Sequence, residues 1–191
     1  MINFLAEKRR SLFPVFLVGA LSFLLLGVSQ ADEYQKLIGT KAREWQVDDW
    51  INSKPIGLQD LRGKVVLVRF WTGPSCPFCK ASAPALNEFY KKYHNRGLEV
   101  IGFYHHKSAE PLRKETVRKL AQEFGFKFPV GIDHDWRTLR QWWLDRVKTE
   151  WTSVSFLIDR KGIIRHIHPG GQYVKGDQDY NRLNEMIQRY L

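Results

Sequence analysis

A nearly continuous apolar run spans residues 64–71, which read Lys-Val-Val-Leu-Val-Arg-Phe-Trp. β-Branched and aromatic residues favour strands. An apolar run without polar alternation is typical of a strand that is buried on both faces of a sheet. The run therefore predicts a central strand.

Helical and strand-like patterns alternate after this run. Pro77 is compatible with a first helical turn, and Phe78, Leu86 and Phe89 recur at helical spacing until Gly97 ends the helix. The later pattern predicts, in chain order, a strand at 98–104, a helix that Pro111 opens and Gly125 ends, a strand at 128–132, a helix capped by Asp135, a hairpin of 154–158 and 163–168, and a final helix at 177–190.

This order of elements predicts an α/β fold. Strands that are joined through helices are expected to run parallel, and the hairpin adds an antiparallel edge. The sheet is therefore central and mixed, and it is flanked by helices on both faces. The chain has 191 residues, 43% of them hydrophobic, which fits a single globular domain at 32–191.

The first 31 residues have the features of an export signal. Lys8, Arg9 and Arg10 precede an apolar stretch at 12–28, and a small residue, Ala31, stands where a signal peptidase would cut. Alternatively, residues 11–28 are long enough to remain as one membrane-spanning anchor with the arginines inside. In both cases we expect the domain to work in the periplasm or cell envelope, where disulfides persist.

The charge balance is strongly basic but unspecific. Thirty Lys and Arg against twenty Asp and Glu give a net charge of +10, which can attract an anionic membrane or an acidic partner. The basic residues at 113–119 alternate with acidic and apolar ones, as on a solvated helix face. Since no nucleic-acid-binding motif is present, nucleic acid is not an expected partner.

The candidate chemistry lies in Cys76-Pro77-Phe78-Cys79, which contains the two cysteines of the chain. At a strand-to-helix junction this spacing brings the sulfurs close enough to form a disulfide. Amides and the dipole at a helix start stabilise a thiolate and lower the pKa of such a cysteine from about 8.5 into the range of about 3.5 to 7.5. Cys76 is therefore the expected nucleophile, and Cys79, one turn further on, is expected to resolve the mixed disulfide.

The residues favour redox chemistry over three other uses of the pair. A structural disulfide gains little from so short a loop, and an idle buried pair does not fit the carboxyl edge of a sheet, where sites form. A zinc site needs about four ligands. Only the histidines could complete such a set, namely His105, His106, His166 and His168.

The segment Phe70-Trp71, followed by the two cysteines and then by Pro84, resembles the active-site segment of the thioredoxin superfamily. Residues 63–68 and 156–162 are similar to those of the TlpA/ResA-type (redoxin) thiol-disulfide oxidoreductases of the bacterial envelope. The likeness covers roughly residues 40 to 190. It implies a thioredoxin-like fold with an N-terminal strand or hairpin extension, no cofactor, and disulfide exchange with exported protein thiols or disulfides, with small disulfides and with an upstream redox partner.

The direction of exchange is not implied, because the potentials of related dithiol proteins span about −270 to −120 mV.

Two positions also depart from the thioredoxin pattern. Ser153 replaces the cis-proline that faces the cysteines, and because a non-proline cis bond costs about 2.5 to 4 kcal/mol, we expect Ser153 to be trans or strained. Arg69 replaces the buried acid. It either approaches the sulfurs and favours the thiolate, or it points away to an acid or to solvent.

Four further residues are candidates for supporting roles. Trp71 is interpreted as a platform for substrate or as a core residue, and Pro77 and Phe78 separate the cysteines at the helix start. His105, just past the second strand, either transfers protons at the same sheet edge or is a loop residue without a role. We assign no metal ligand.

Two other functions fit parts of the pattern. A peroxiredoxin-like peroxidase would need a threonine three residues before its reactive cysteine, where this chain has Gly73. A copper-handling metallochaperone with a thioredoxin-like fold would use both cysteines and a histidine such as His105 as ligands. The short spacing of the cysteines argues against this second function.

Overall fold

The computed structural model describes residues 30–73 and 75–191. Within these residues six strands form one sheet, in the order β1-β4-β3-β2-β5-β6. They are β1 (Asp49–Ile51), β2 (Val65–Trp71), β3 (Leu98–His105), β4 (Val130–Asp133), β5 (Ser155–Ile158) and β6 (Ile164–His168). Strands β2, β3 and β4 run parallel to one another, whereas β1, β5 and β6 pair antiparallel with their neighbours. The predicted mixed sheet is confirmed.

Helices follow the strands in the predicted order. They are α1 (Gln30–Gln35), α2 (Pro77–Tyr93), α3 (Lys114–Glu123), α4 (Arg137–Leu139), which continues as a π-helical turn at Arg140–Leu144, and α5 (Gln178–Tyr190). After α2 the chain turns at Gly97, whose φ of 102° lies in the left-handed region that favours glycine.

Strand β2 lies at the centre of the molecule because both of its faces are covered. Leu67 and Trp71 pack with α2, α3 and α5 on one face, whereas Val68 and Phe70 pack with the π-helical turn and β5 on the other. All seven residues of the strand are buried. Burial of apolar surface on both sides stabilises the fold and accounts for the lack of polar alternation in this run.

Two helix starts differ from the sequence prediction. Helix α3 begins at Lys114 rather than Pro111, because the backbone of Arg113 is still extended, with φ −127° and ψ 129°. The next helix is capped by Asp133 and not by Asp135. The Asp133 carboxylate accepts the backbone N–H groups of Thr138 and Leu139, both at 2.8 Å. Asp135 itself has a left-handed backbone, with φ 54°, so the helix begins only after it.

The N-terminal extension contributes an edge strand. Strand β1 pairs with β4, and Lys41 forms an isolated bridge with Ile163. The strand of the expected extension is thus confirmed, and it joins the main sheet instead of a hairpin of its own. Within the described part of the chain, no helix is long and apolar enough to cross a membrane. The apolar stretch at 11–28, expected to be a signal or anchor, lies outside the described residues.

Candidate active site

The two cysteines lie where β2 leads into α2. Cys76 is the N-cap of the helix, and its Sγ accepts the backbone N–H of Cys79 at 3.2 Å. Pro77 takes the first helical position, where an N–H donor is not needed. The sulfurs form a disulfide, and the two Cα atoms are 5.3 Å apart. A sulfur at this place faces helix amides, which favour its anionic form after reduction.

The two cysteines differ in their access to solvent. Cys79 is 2% exposed and packs in the core between the sheet and α2. Cys76 is half-buried and lines a groove of about 260 Å³ at the surface. A molecule in this groove can therefore reach Cys76 before Cys79.

Two aromatic residues form the apolar wall of this groove. The rings of Phe78 and Trp151 have centroids 5.5 Å apart, and Trp151 is 48% exposed. The carbonyl of Trp151 accepts the indole N–H of Trp143 at 2.7 Å, which fixes the loop. Sequence reasoning missed Trp151. Its position two residues before Ser153, in the segment expected to face the cysteines, was the available signal.

Ser153 lies against both sulfurs. Its Oγ is 3.4 Å from the Sγ of Cys76 and 3.5 Å from the Sγ of Cys79, and the residue is 6% exposed. No peptide bond of the described residues is cis, so the expectation of a trans bond at Ser153 is confirmed. The chain thus places a hydroxyl group, which can donate or accept a hydrogen bond, beside the disulfide.

Arg69 points to neither an acid nor solvent. It is fully buried, on the face of β2 that is turned toward α2. Nη1 donates to the Oγ of Ser155 at 3.3 Å and Nη2 donates to the carbonyl of Gly171 at 2.8 Å, while Nε has no hydrogen-bond partner. The guanidinium lies 5.2 Å from the ring centroid of Tyr173. Within the described residues, this positive charge has no carboxylate partner.

The charge of Arg69 persists despite its surroundings. Burial lowers the pKa of the guanidinium, yet arginine stays protonated in proteins. Arg69 pairs with Ser155 in the register of β2 and β5, and Ser153 stands two residues before Ser155. The buried charge thus binds a residue that stands two positions along the chain from the one that contacts both sulfurs.

Trp71 is a core residue and does not form a platform for substrate. It is 1% exposed, and its ring packs edge-on against Tyr104 and Phe126, with centroids at 5.1 and 5.2 Å. Its indole N–H has no hydrogen-bond partner. Because β2 is covered on both faces, the last residue of the strand is enclosed before the chain reaches the cysteines.

His105 is neither a loop residue nor a neighbour of the sulfurs. It is the last residue of β3 and is fully buried, on the face that carries Phe103, whereas Tyr104 faces the side of α2. Its ring packs edge-on against Trp136, with centroids 5.3 Å apart, and neither ring nitrogen has a hydrogen-bond partner. Burial lowers the pKa of His105 to about 3, helped by the charges of Lys107 and Arg69.

The histidines do not form a metal site with the cysteines. Among the described residues, no group of three or more His, Cys, Asp or Glu could hold a metal ion. His168 is buried against the ring of Tyr173, with centroids 5.2 Å apart, and burial lowers the pKa of His166 to about 4. The zinc interpretation therefore gains no support from the arrangement of these side chains.

Known proteins resemble this chain over most of its length. Residues 38–167 match the AhpC/TSA family. The thiol-disulfide oxidoreductase ResA of Bacillus thuringiensis (strain Al Hakam) is 34% identical over 160 residues, which are 82% of this chain and 86% of ResA. Protein DipZ of Mycobacterium tuberculosis (strain CDC 1551 / Oshkosh) is 32% identical over 148 residues, 76% of this chain but 20% of DipZ.

A solved structure agrees with these relatives. The thiol-disulfide isomerase from Corynebacterium glutamicum superposes with a TM-score of 0.64 at 26% identity, over 80% of this chain and 96% of that chain. The shared fold, and the CxxC pair at the start of α2 in this chain, agree with the similarity to ResA. The chain therefore belongs to the AhpC/TSA family and is a thioredoxin-like thiol-disulfide oxidoreductase related to ResA.

Proposed function

We propose that this enzyme exchanges disulfides through a mixed disulfide, with Cys76 as the nucleophile and Cys79 as the resolving residue. The difference in access between the two sulfurs carries the proposal. Cys76 lines the groove, whereas Cys79 is 2% exposed beneath it. A substrate sulfur can approach Cys76 from solvent, and the mixed disulfide then lies within reach of Cys79.

The exchange needs no reagent beyond the two thiols and a disulfide. In the reducing direction the Cys76 thiolate attacks one sulfur of the substrate disulfide, the substrate S–S bond breaks, and the other substrate sulfur leaves as a thiolate. The Cys79 thiolate then attacks the sulfur of Cys76, forms the disulfide within the chain and releases the second substrate thiol. Two electrons pass to the substrate. The oxidising direction reverses these steps.

We assign Ser153 to stabilisation of the thiolate. In the reduced enzyme a hydroxyl 3.4 Å from the Cys76 sulfur can donate a hydrogen bond to the anion. Hydrogen bonds to charged groups are stronger than those between neutral groups. The disulfide has no anionic sulfur to receive such a bond, so Ser153 favours the reduced form.

Arg69 supports the same form electrostatically. Its guanidinium lies on the side of the sheet that faces α2, and no carboxylate in the described part neutralises it. A nearby positive charge favours a thiolate over a thiol. Stabilising the thiolate stabilises the reduced form of the enzyme and makes its disulfide a stronger oxidant. Arg69 therefore shifts the reduction potential toward the oxidising end of the range of related dithiol proteins.

The remaining predicted residues act indirectly. Phe78 holds the apolar wall of the groove together with Trp151, and Pro77 fixes the start of the helix that positions both sulfurs. Trp71 belongs to the same core cluster as Cys79, against which Cys76 packs. His105 lies on the opposite face of the sheet, so we assign it no part in proton transfer to the sulfurs.

The N-terminal sequence supports a proposal for the site of action and for the partners. We propose that residues 1–31 direct export as a signal peptide, or as an anchor through residues 11–28, and that the domain acts in the periplasm or cell envelope. Its partners are then exported protein thiols and disulfides and an upstream redox protein. Cell fractionation of the full chain, beside a variant lacking residues 1–31, tests this placement.

Turnover of disulfide substrates tests the proposed reaction. The oxidised full chain, supplied with dithiothreitol, is expected to accelerate the reduction of insulin and of glutathione disulfide. Hydrogen peroxide consumption at a comparable rate would instead indicate the peroxidase alternative. Tight copper binding without disulfide turnover would indicate the metallochaperone. A chain in which both cysteines are replaced by serine serves as the control.

A further inference from the structure

A second cavity, of about 590 Å³, lies beside the groove over Cys76. It is bounded by the segment after β2, by the end of β3 with the segment that follows it, and by α3. Thr72, Ser75 and Lys107 line both the cavity and the groove. A substrate seated over the Cys76 sulfur therefore has room to extend into the cavity, whose volume lies in the range of about 300 to 1,000 Å³ typical of small-molecule sites.

Two cations at this cavity have no acidic partner. Neither Lys107 nor Arg113 forms an ion pair with a described residue. The ammonium of Lys107 lies 5.7 Å from the ring centroid of Trp136, a distance at which the ring face attracts a cation. Glu110 also lines the cavity. The lining therefore carries two positive charges against one negative charge.

Two cations of α3 are paired, whereas Lys119 of the same helix forms no ion pair with a described residue and does not line the cavity. Lys114 lies 3.0 Å from the carboxylate of Asp49, and Arg118 lies 3.2 Å from that of Glu115. Lys107 and Arg113 at the cavity therefore remain available to an anionic ligand, whereas Lys114 and Arg118 already face a carboxylate.

Hydroxyl groups add further donors to the same walls. Thr72, Ser75 and Thr116 line the cavity, and their hydroxyls form no hydrogen bond with a described residue. Cations and hydroxyls together are the donors that bind a carboxylate. An apolar ligand would leave these polar groups without partners, which costs free energy.

We propose that this cavity binds a carboxylate that the substrate carries close to its disulfide, with Lys107 and Arg113 as the recognising cations. The inference rests on the proposed function, because the substrate disulfide must lie over Cys76. The carboxylate belongs to a small thiol compound or to an acidic residue beside a cysteine of a protein. Both sources present the same group at the same place.

Three small disulfides of similar length test the proposal, since they differ in the charge of their ends. They are 3,3′-dithiodipropionate (anionic), bis(2-hydroxyethyl) disulfide (neutral) and cystamine (cationic). Each is mixed with the reduced full chain, and the second-order rate of protein oxidation is measured at low and at moderate salt. We expect the anionic disulfide to react about three- to tenfold faster than the neutral one, and cystamine to react more slowly, with differences that shrink as salt rises.

Variants locate the effect in the cavity. Lys107→Met and Arg113→Gln are each expected to slow the reaction with the anionic disulfide about threefold more than the reaction with the neutral disulfide. Lys119→Met is the matched control, because it removes a positive charge from α3 outside the cavity lining. Equal effects of Lys107→Met and Lys119→Met would overturn the proposal, as would the absence of any charge preference in the unmodified chain.

Two further outcomes separate the claims. If none of the three disulfides is reduced, the proposed function fails. If all three are reduced at equal rates, the proposed function stands and the carboxylate site is wrong. A peptide disulfide with aspartate beside its cysteine, compared with the asparagine peptide, distinguishes the sources. Faster reaction of the aspartate peptide indicates a protein substrate, and equal rates indicate a small thiol compound.

Discussion

The hydroxyl of Ser153 lies 3.5 Å from the sulfur of Cys79, at the position where the thioredoxin pattern has a proline. A proline in this place offers the sulfurs no donor, because it lacks both a hydroxyl and an N–H group. The serine is 6% exposed, so little water competes for its hydroxyl. The enzyme thus carries a hydrogen-bond donor that its thioredoxin-like resemblance would not lead one to expect.

Ser153→Ala removes this donor with little change in volume. The reduced form is expected to lose about 1.5 kcal/mol of stabilisation, which is the lower end of the range for a hydrogen bond to a charged group. The equilibrium with glutathione should therefore shift about tenfold toward the intrachain disulfide, which corresponds to about 30 mV. Titration against glutathione buffers measures the shift. Ser155→Ala is the control, because its hydroxyl bonds to Tyr173 and Arg69 and not to a sulfur. The same shift in both variants would contradict the role of Ser153.

Cys79→Ser is expected to trap substrates. With the resolving thiol absent, the mixed disulfide on Cys76 has no intrachain sulfur to release it and should accumulate. Mass spectrometry after incubation with glutathione disulfide detects the adduct. Cys76→Ser should accumulate at least tenfold less, because Cys79 is almost fully buried. Comparable trapping by the two variants would show that the assigned order of attack is wrong.

Arg69→Met tests the buried charge. Loss of the positive charge should destabilise the thiolate and shift the glutathione equilibrium toward the disulfide, by about tenfold or about 30 mV. Arg69→Lys retains a charge and should shift the equilibrium much less. Glutathione titration of the two proteins supplies the comparison.

A structural effect of Arg69 can be separated from this electrostatic effect. Tyr173→Phe removes the hydroxyl that contacts Ser155 at 3.1 Å but leaves the guanidinium in place. It should lower the free energy of unfolding without moving the redox equilibrium. A matching redox shift in Tyr173→Phe would mean that packing, and not charge, sets the potential.

Local patterns were sufficient to predict most of the fold. Three features depend mainly on residues adjacent in the sequence, and each lies where the sequence predicts it. They are the strand β2, the turn at Gly97 and the hairpin of β5 and β6. The predicted cap of the helix after β4 was wrong. Asp135 and Trp136 take left-handed backbone conformations, which leave Asp133 in the capping position. Nothing in the spacing of these residues signals that turn.

The surroundings of the cysteines were less predictable, because they depend on contacts between distant segments. Arg69 bonds to the carbonyl of Gly171, 102 residues away. The groove is completed by Trp151, which approaches Phe78 from a loop with no strong pattern. The sequence identifies the two candidate sulfurs by their spacing, but it cannot show which side chains fold over them.

The stability of the enzyme should depend on pH through His105. An unfolded histidine has a pKa of about 6.5, whereas burial lowers that of His105 to about 3. Between these values the unfolded chain binds a proton that the folded chain does not. The stabilisation is therefore fully present above about pH 6.5 and is lost as the pH falls toward 3.

His105→Phe isolates this contribution, because it keeps an aromatic ring against Trp136 and removes the titrating group. Between pH 8 and pH 5, we expect the unmodified enzyme to lose about 2 kcal/mol more in its free energy of unfolding than the variant does. Urea denaturation at both pH values measures the difference. His166 and His168 are present in both proteins, so their own titration cancels in the comparison. An equal loss in the two proteins would mean that His105 becomes protonated without unfolding, and hence that water reaches its ring in the folded state.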